Sequence, residues 1–148
     1  HQFNRFRMRL GGLALGVSER SQALAVEYAT HRQVFGKSLG SNQAIQWMLT
    51  DNQYDIESIR WNTYNAAWLV DRGGFEAARL QSSMVKAYCI DAGLRVVDRA
   101  MQILGGRGLS IDDYPFGDFY NHLRMCKQME GSTEIMKMVM AREILGKR

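Results

Sequence analysis

The chain has 148 residues, 46% of them apolar and 23% charged, with a formal net charge of +4 at pH 7. That balance is ordinary for one folded domain large enough to bury a core, and it excludes a disordered chain. A single proline leaves long stretches open to helix and argues against Pro-rich linkers, collagen-like repeats and turn-dense sandwiches.

Four segments carry helical periodicity, and none shows strand alternation. In the first, Leu10, Leu13, Ala14, Val17, Leu24, Ala25 and Tyr28 recur mostly at spacings of three and four, with Ser21 completing the stripe. Phe35-Gly36 supplies its stop, and Gly40 follows. The second keeps Ile45, Met48, Leu49, Ile56, Ile59, Ala66, Ala67 and Val70 on one face and ends at Gly73-Gly74. A third runs from about Phe75 through Ala78, Val85, Tyr88, Cys89, Ala92, Val96, Ala100 and Ile103 to Leu104, closed by Gly105-Gly106. Beyond the turn-like stretch holding Pro115 comes a short helix between Phe116 and Lys127. A last helix carries Ile135, Met138, Val139, Ile144 and Leu145 to Gly146. Long helices joined by short glycine-containing turns must lie antiparallel. The expected fold is all-α, an up-down four-helix bundle forming one domain over 1–148. The nine methionines suit irregular gaps in such a core.

Several function classes fall away. The 15 acidic residues are interspersed with the 19 basic ones, and the densest basic run is only Arg5, Arg7 and Arg9. A solvated surface accounts for this charge, with a phosphate-bearing small molecule as the functional alternative and no need for nucleic acid. Cys89 and Cys126 lack CxxC spacing and read as free thiols in a reducing compartment, cytoplasmic or mitochondrial. No run of about 18 apolar residues exists to span a membrane. The chain begins with His1 and has no apolar signal core, as expected for a piece of a longer protein. A di-metal bundle site needs Glu-x-x-His pairs. Here Glu27 and His31 stand four apart and His122 has no carboxylate three residues before it, so no metal site is expected. Neither cysteine sits beside a histidine, and no GxSxG elbow occurs.

Two glycine-containing stretches remain. Gly105-Gly106-Arg107-Gly108 reads either as a helix C-cap and turn or as bare backbone that a flat or anionic ligand approaches closely. Glu130-Gly131-Ser132-Thr133-Glu134 opens the last helix, where backbone N–H groups and the positive dipole end face outward. Ser132 reads as its N-cap. Glu130, in the loop before it, is either a solvated carboxylate or a general base.

Taken together, these pieces resemble one family. Tyr28-Ala29-Thr30-His31-Arg32-Gln33-Val34-Phe35-Gly36, Gln43, Gln102-Ile103-Leu104-Gly105-Gly106-Arg107-Gly108 and Glu130-Gly131-Ser132 occur in the order and at the separations of the acyl-CoA dehydrogenases. The likeness is to their C-terminal helical domain and covers essentially the whole chain, without the family's N-terminal helical and middle β-domains. It implies FAD as cofactor, an acyl-CoA thioester as substrate, α,β-dehydrogenation as the reaction, and a homodimer or homotetramer. It also implies an electron-transfer flavoprotein as partner of the full-length enzyme.

Residue by residue, Glu130 matches the catalytic base that removes the α-proton while a β-hydride passes to the flavin; its backbone N–H helps bind the thioester carbonyl. Gly131 leaves space for the thioester. Arg32 matches the arginine reaching the FAD pyrophosphate of a neighbouring subunit, with Phe35 and Gln43 as companions. Gln102, Gly105 and Gly106 match the segment along the adenosine half of that neighbour's FAD. Ser132 and Glu134 match contacts to FAD within the same subunit. Asn4 and Arg7 match positions near the CoA cleft, with Asn4 where Asp is common. The chain departs from the family at Asn121-His122, where an Arg-Asp pair is frequent, and at Met129, where an aromatic residue usually precedes the base. Some relatives carry the base on the first helix; Phe6 stands there and cannot serve. The alternatives are a helical assembly module without activity when isolated, and a domain of an acyl-CoA oxidase.

Overall fold

A computed structural model describes residues 2–146, with side chains from residue 5 onward. The first stripe forms α1 (Gln2–His31) and the second forms α2 (Gln43–Ala77). Gly74 breaks the second rod where the sequence places its end, at φ 73° and ψ −174°. The third rod is composite. α3 (Arg79–Met84) runs through a π-helical turn (Val85–Cys89) into α4 (Ile90–Leu104), with helical backbone angles at both joints. After a 3₁₀ segment (Gly105–Leu109) come α5 (Phe116–Cys126) and α6 (Thr133–Ile144). α1, α2 and α4 pack mutually. α5 lies on α4, and α6 lies on α3 and the π turn, so two short helices share the fourth position of the bundle.

The α1–α2 connection differs from the expected long stop. α1 ends at His31, and Gln33–Val34 (β1) pairs antiparallel with Lys37–Ser38 (β2). Phe35 (φ 51°) and Gly36 (φ 81°) turn this hairpin. Positive φ at both central residues matches the twist of paired strands, and two-residue strands are too short to show alternation in sequence.

The core takes Leu10, Ala14, Val17, Leu24 and Ala25 from α1, Ile56, Ile59 and Ala66 from α2, and Val96, Val97, Ala100 and Ile103 from α4. Small residues let the rods close up. A Cβ on Gly11 would lie 2.5 Å from Thr63 Oγ1 and 2.5 Å from Val85 Cγ1, so even a methyl group would force α1 away from its neighbours. The expected stripes fail in places: Ala67 and Tyr88 are exposed, as are Ile135, Met138, Ile144 and Leu145 of α6. α6 buries only Thr133 and Met136.

A polar network runs through this apolar frame. The Asp55 carboxylate of α2 accepts hydrogen bonds from Arg95 Nε at 3.1 Å, from Arg95 Nη2, and from Arg99 Nη1 at 2.8 Å, both arginines on α4. Arg99 also donates to Asn52 Oδ1; Asn52 donates to Gln22 Oε1 on α1, and Gln22 donates to the Leu49 carbonyl. One chain of hydrogen bonds therefore ties three helices. Burial alone would raise the Asp55 pKa, but the bonds and charges of Arg95 and Arg99 outweigh it and hold the carboxyl below its usual range.

Both cysteines are free and buried. Burial pushes the Cys89 thiol up to about 12 against an opposing hydrogen bond from Thr63, and burial raises Cys126 against the nearby Lys86 charge. At neutral pH both stay protonated, which removes them as nucleophiles. Among the described residues, no helix is long and apolar enough to cross a membrane.

Candidate functional site

The residues singled out in the sequence fall into two groups at opposite ends of α1. Arg7 stands near its start and Arg32 immediately past its end. The 24 residues from Arg7 to His31 correspond to about 36 Å along the axis.

At the first end, Glu130 occupies the turn between α5 and α6, half-buried, with φ 57°. This left-handed angle is uncommon for a residue with a side chain and marks a constrained position. Gly131 follows at φ 97°, an angle that favours glycine; a Cβ there would also press on the Met136 methyl at 2.8 Å. Arg7 Nε donates to the Glu130 carbonyl at 3.3 Å. Burial lowers the Arg7 pKa, the Glu130 charge opposes that, and Arg79 adds to it. Ser132 is the N-cap of α6, as its sequence position predicts: its Oγ accepts from the Ile135 N–H. The exposed Glu134 carboxyl is held below its usual range, first by its own backbone N–H and then by the Ser132 hydroxyl. Asn4 belongs to this end, but its side chain lies outside the described residues. His122 and Met129 are both exposed.

At the other end, the hairpin, the start of α2 and the end of α4 meet. A groove of about 580 Å³ is lined by Tyr28, His31, Arg32, Arg107 and Tyr114 together with the carboxylates Glu27 and Asp113. Gln102, Gly105 and Gly106 sit beside it on the α4 terminus and are exposed. A Cβ added at Gly105 or Gly106 would meet nothing within 4 Å, so bare peptide faces outward there. Phe35 projects from the hairpin tip fully exposed, and Gln43 opens α2 just beyond. The lining thus combines two arginines, two carboxylates and two tyrosines, with bare backbone alongside. Arg107 belongs to this set although the sequence reading treated it only as part of a glycine turn.

The two ends are too far apart for one dinucleotide to reach both. The hairpin groove and the Glu130 turn of one chain are therefore separate places on the bundle.

Other features escaped the sequence. Trp47, Tyr54, Trp61 and Trp68 repeat every seven residues along α2 and are all more than half exposed. Lys86, inside the π turn, is fully buried and donates to the Lys127 carbonyl at 2.6 Å.

Residues 1–145 match the family model described as acyl-CoA dehydrogenase, C-terminal domain. The cyclohexane-1-carbonyl-CoA dehydrogenase of Geobacter metallireducens is 32% identical over 143 residues, covering 97% of this chain and 37% of that protein. Among solved structures, butyryl-CoA dehydrogenase from Megasphaera elsdenii superposes with a TM-score of 0.90 at 31% identity, covering 97% of this chain and 37% of its own. A structure of PigA with FAD and proline gives a TM-score of 0.90 at 25% identity, covering 99% of this chain and 37% of its own. The chain thus spans little more than a third of the proteins it matches, and its all-α bundle is theirs in this region. The chain belongs to the acyl-CoA dehydrogenase C-terminal domain family.

Proposed function

We propose that the chain supplies the catalytic carboxylate, and one side of the cofactor site, of an FAD-dependent acyl-CoA dehydrogenase whose further domains complete the pocket. The observation that carries this reading is Glu130 itself. It is the carboxylate of the turn, set in a left-handed conformation beside a positive-φ glycine, with its carbonyl tethered by Arg7.

Glu130 takes the α-proton of the acyl thioester onto its carboxylate. Gly131 leaves room for the thioester to approach that carboxylate, and the N-terminus of α6 places a positive dipole end next to the developing oxyanion. FAD, when bound, supplies the acceptor for the β-hydride, so that proton and hydride leave together as the α,β-double bond forms. Ser132 and Glu134 are assigned to the cofactor of the same subunit. Arg7 and Asn4 are assigned to the CoA side. Arg32, Phe35, Gln43, Gln102, Gly105 and Gly106 are assigned to the cofactor held by a neighbouring copy, with Arg107 as a second cation toward its pyrophosphate. The exposed seven-residue aromatic repeat on α2 supports assembly of copies into a homodimer or homotetramer. An electron-transfer flavoprotein is the proposed electron acceptor.

Exchange of substrate α-protons with deuterated water tests the reading. The complete enzyme is expected to catalyse the exchange, and Glu130→Gln to lose it. Exchange at the normal rate in Glu130→Gln would reject the assignment. The separation of the two half-sites favours a second reading for the chain by itself, a helical assembly module that neither holds flavin firmly nor turns over substrate.

A further inference from the structure

We propose that Lys86 is a positioning residue for the catalytic turn: its ammonium fastens the carbonyl end of α5, from which the Glu130 turn departs. The proposal rests on the assignment of Glu130 as the base. Lys86 is fully buried, and its Nζ donates to the Lys127 carbonyl at 2.6 Å. Lys127 is the C-cap of α5, where helix carbonyls lack intrahelical partners and the negative dipole end gathers. A cation at that point satisfies both.

Further contacts hold the turn on both sides. Lys127 Nζ reaches Asp91 Oδ1 at 2.6 Å, Arg7 holds the Glu130 carbonyl, and Ser132 caps α6. Only Gln128 and Met129 separate the Lys127 anchor from Glu130, so slack at Lys127 passes into the left-handed peptide that aims the carboxylate. Packing alone does not explain this residue. An apolar side chain would fill the space without the cost of taking a cation out of water. Lys86 stands four residues after buried Ser82 and four before buried Ile90, so the chain sets a cation on a buried stripe, and it does so inside a π turn, a feature frequent at functional positions. Burial pushes the Lys86 pKa down, the charges of Asp91 and Glu134 oppose that, and the charge of Arg7 adds to it.

The test is Lys86→Met in the complete flavoenzyme. Flavin content and KM for acyl-CoA are expected to stay near those of the unmodified enzyme. The kcat falls about 10–100-fold, the scale of a displacement near one ångström at a reacting group. Amide exchange in residues 127–131 accelerates at least about tenfold, with α1 and α4 unchanged. A folded Lys86→Met enzyme with unaltered kcat overturns the proposal, whatever its exchange shows. Should that variant not fold, the unmodified enzyme decides. Its 127–131 amides must exchange as slowly as those of α5, and exchange as fast as at the Phe35–Gly36 tip overturns the anchor. Glu130→Gln keeps the two ideas apart. If it turns over normally the base assignment fails, while the exchange behaviour of the turn still reports on Lys86.

Discussion

Two variant enzymes, Glu130→Gln and Arg32→Ala, are each expected to be nearly inactive alone and to recover activity when dissociated, mixed and reassembled. The expectation follows from the length of α1. The α1 axis rises about 36 Å between Arg7, beside the Glu130 turn, and His31, next to Arg32 at the hairpin groove, so under the proposed assignments one chain gives these residues to two different cofactor sites. Glu130→Gln removes the base, a loss of about 10²–10⁴-fold. Arg32→Ala removes a guanidinium from a pyrophosphate, weakening flavin retention by about 1.5–3 kcal/mol. In a mixed pair, one site joins the intact Glu130 of one copy to the intact Arg32 of the other, and the second site carries both defects. Random reassembly of equal amounts should therefore restore roughly one quarter of the unmodified activity if the pair is the two-fold unit. Activity no higher than the sum of the separate variants would place both residues at one site.

The largest expected effect on stability is at Asp55. Asp55→Asn leaves Arg95 and Arg99 without their shared anion, next to Asn52 and Gln22, which depend on the same network. Breaking a buried pair costs 3–5 kcal/mol in general, and the partly solvated Arg95 reduces this to about 2–3 kcal/mol here. Urea unfolding at pH 7 should show the loss as a lower midpoint at unchanged slope. The pH dependence has a definite sign. The folded Asp55 pKa lies below its ordinary value of 3.8, so its contribution is complete above that value and is lost as pH falls through the folded pKa. The gap between the unmodified chain and Asp55→Asn must close on acidification. A gap that is the same at pH 7 and in strong acid would refute the role given to the carboxylate.

The long rods were legible because α1, α2 and α4 each bury one continuous face, and Ala14, Ile59 and Ala100 sit where a 3.6-residue period puts them. Gly74 was legible as a break because only glycine accepts its φ of 73° cheaply. The π turn was not. It adds a residue to one turn, so Tyr88 is exposed although it stands three residues after buried Val85 and four before buried Ala92, while Lys86 stays on the buried stripe of Ser82 and Ile90. α6 misled for another reason. Apolar residues occur on several of its sides, and a helix that rests only on α3 and the π turn buries little of them. Asp55 and Asn52 fall on the same stripe as Ile56 and Ile59, and a carboxylate on an apolar stripe with Arg95 and Arg99 four apart on a partner helix was a signal available in the sequence. The stretches that make up the candidate site stood out in the sequence as motifs. What the motifs did not contain was the local geometry: the left-handed backbone at Glu130, the hairpin that presents Phe35, and the carboxylates Glu27 and Asp113 that line the groove with Arg32.

The most direct test of Glu130 as the base is anaerobic mixing of acyl-CoA with the complete enzyme, followed at the oxidised flavin absorption band. The unmodified enzyme should bleach on adding substrate. Glu130→Gln should hold the same flavin, bind the same ligand and stay oxidised. Bleaching of Glu130→Gln at a rate near that of the unmodified enzyme would contradict the account.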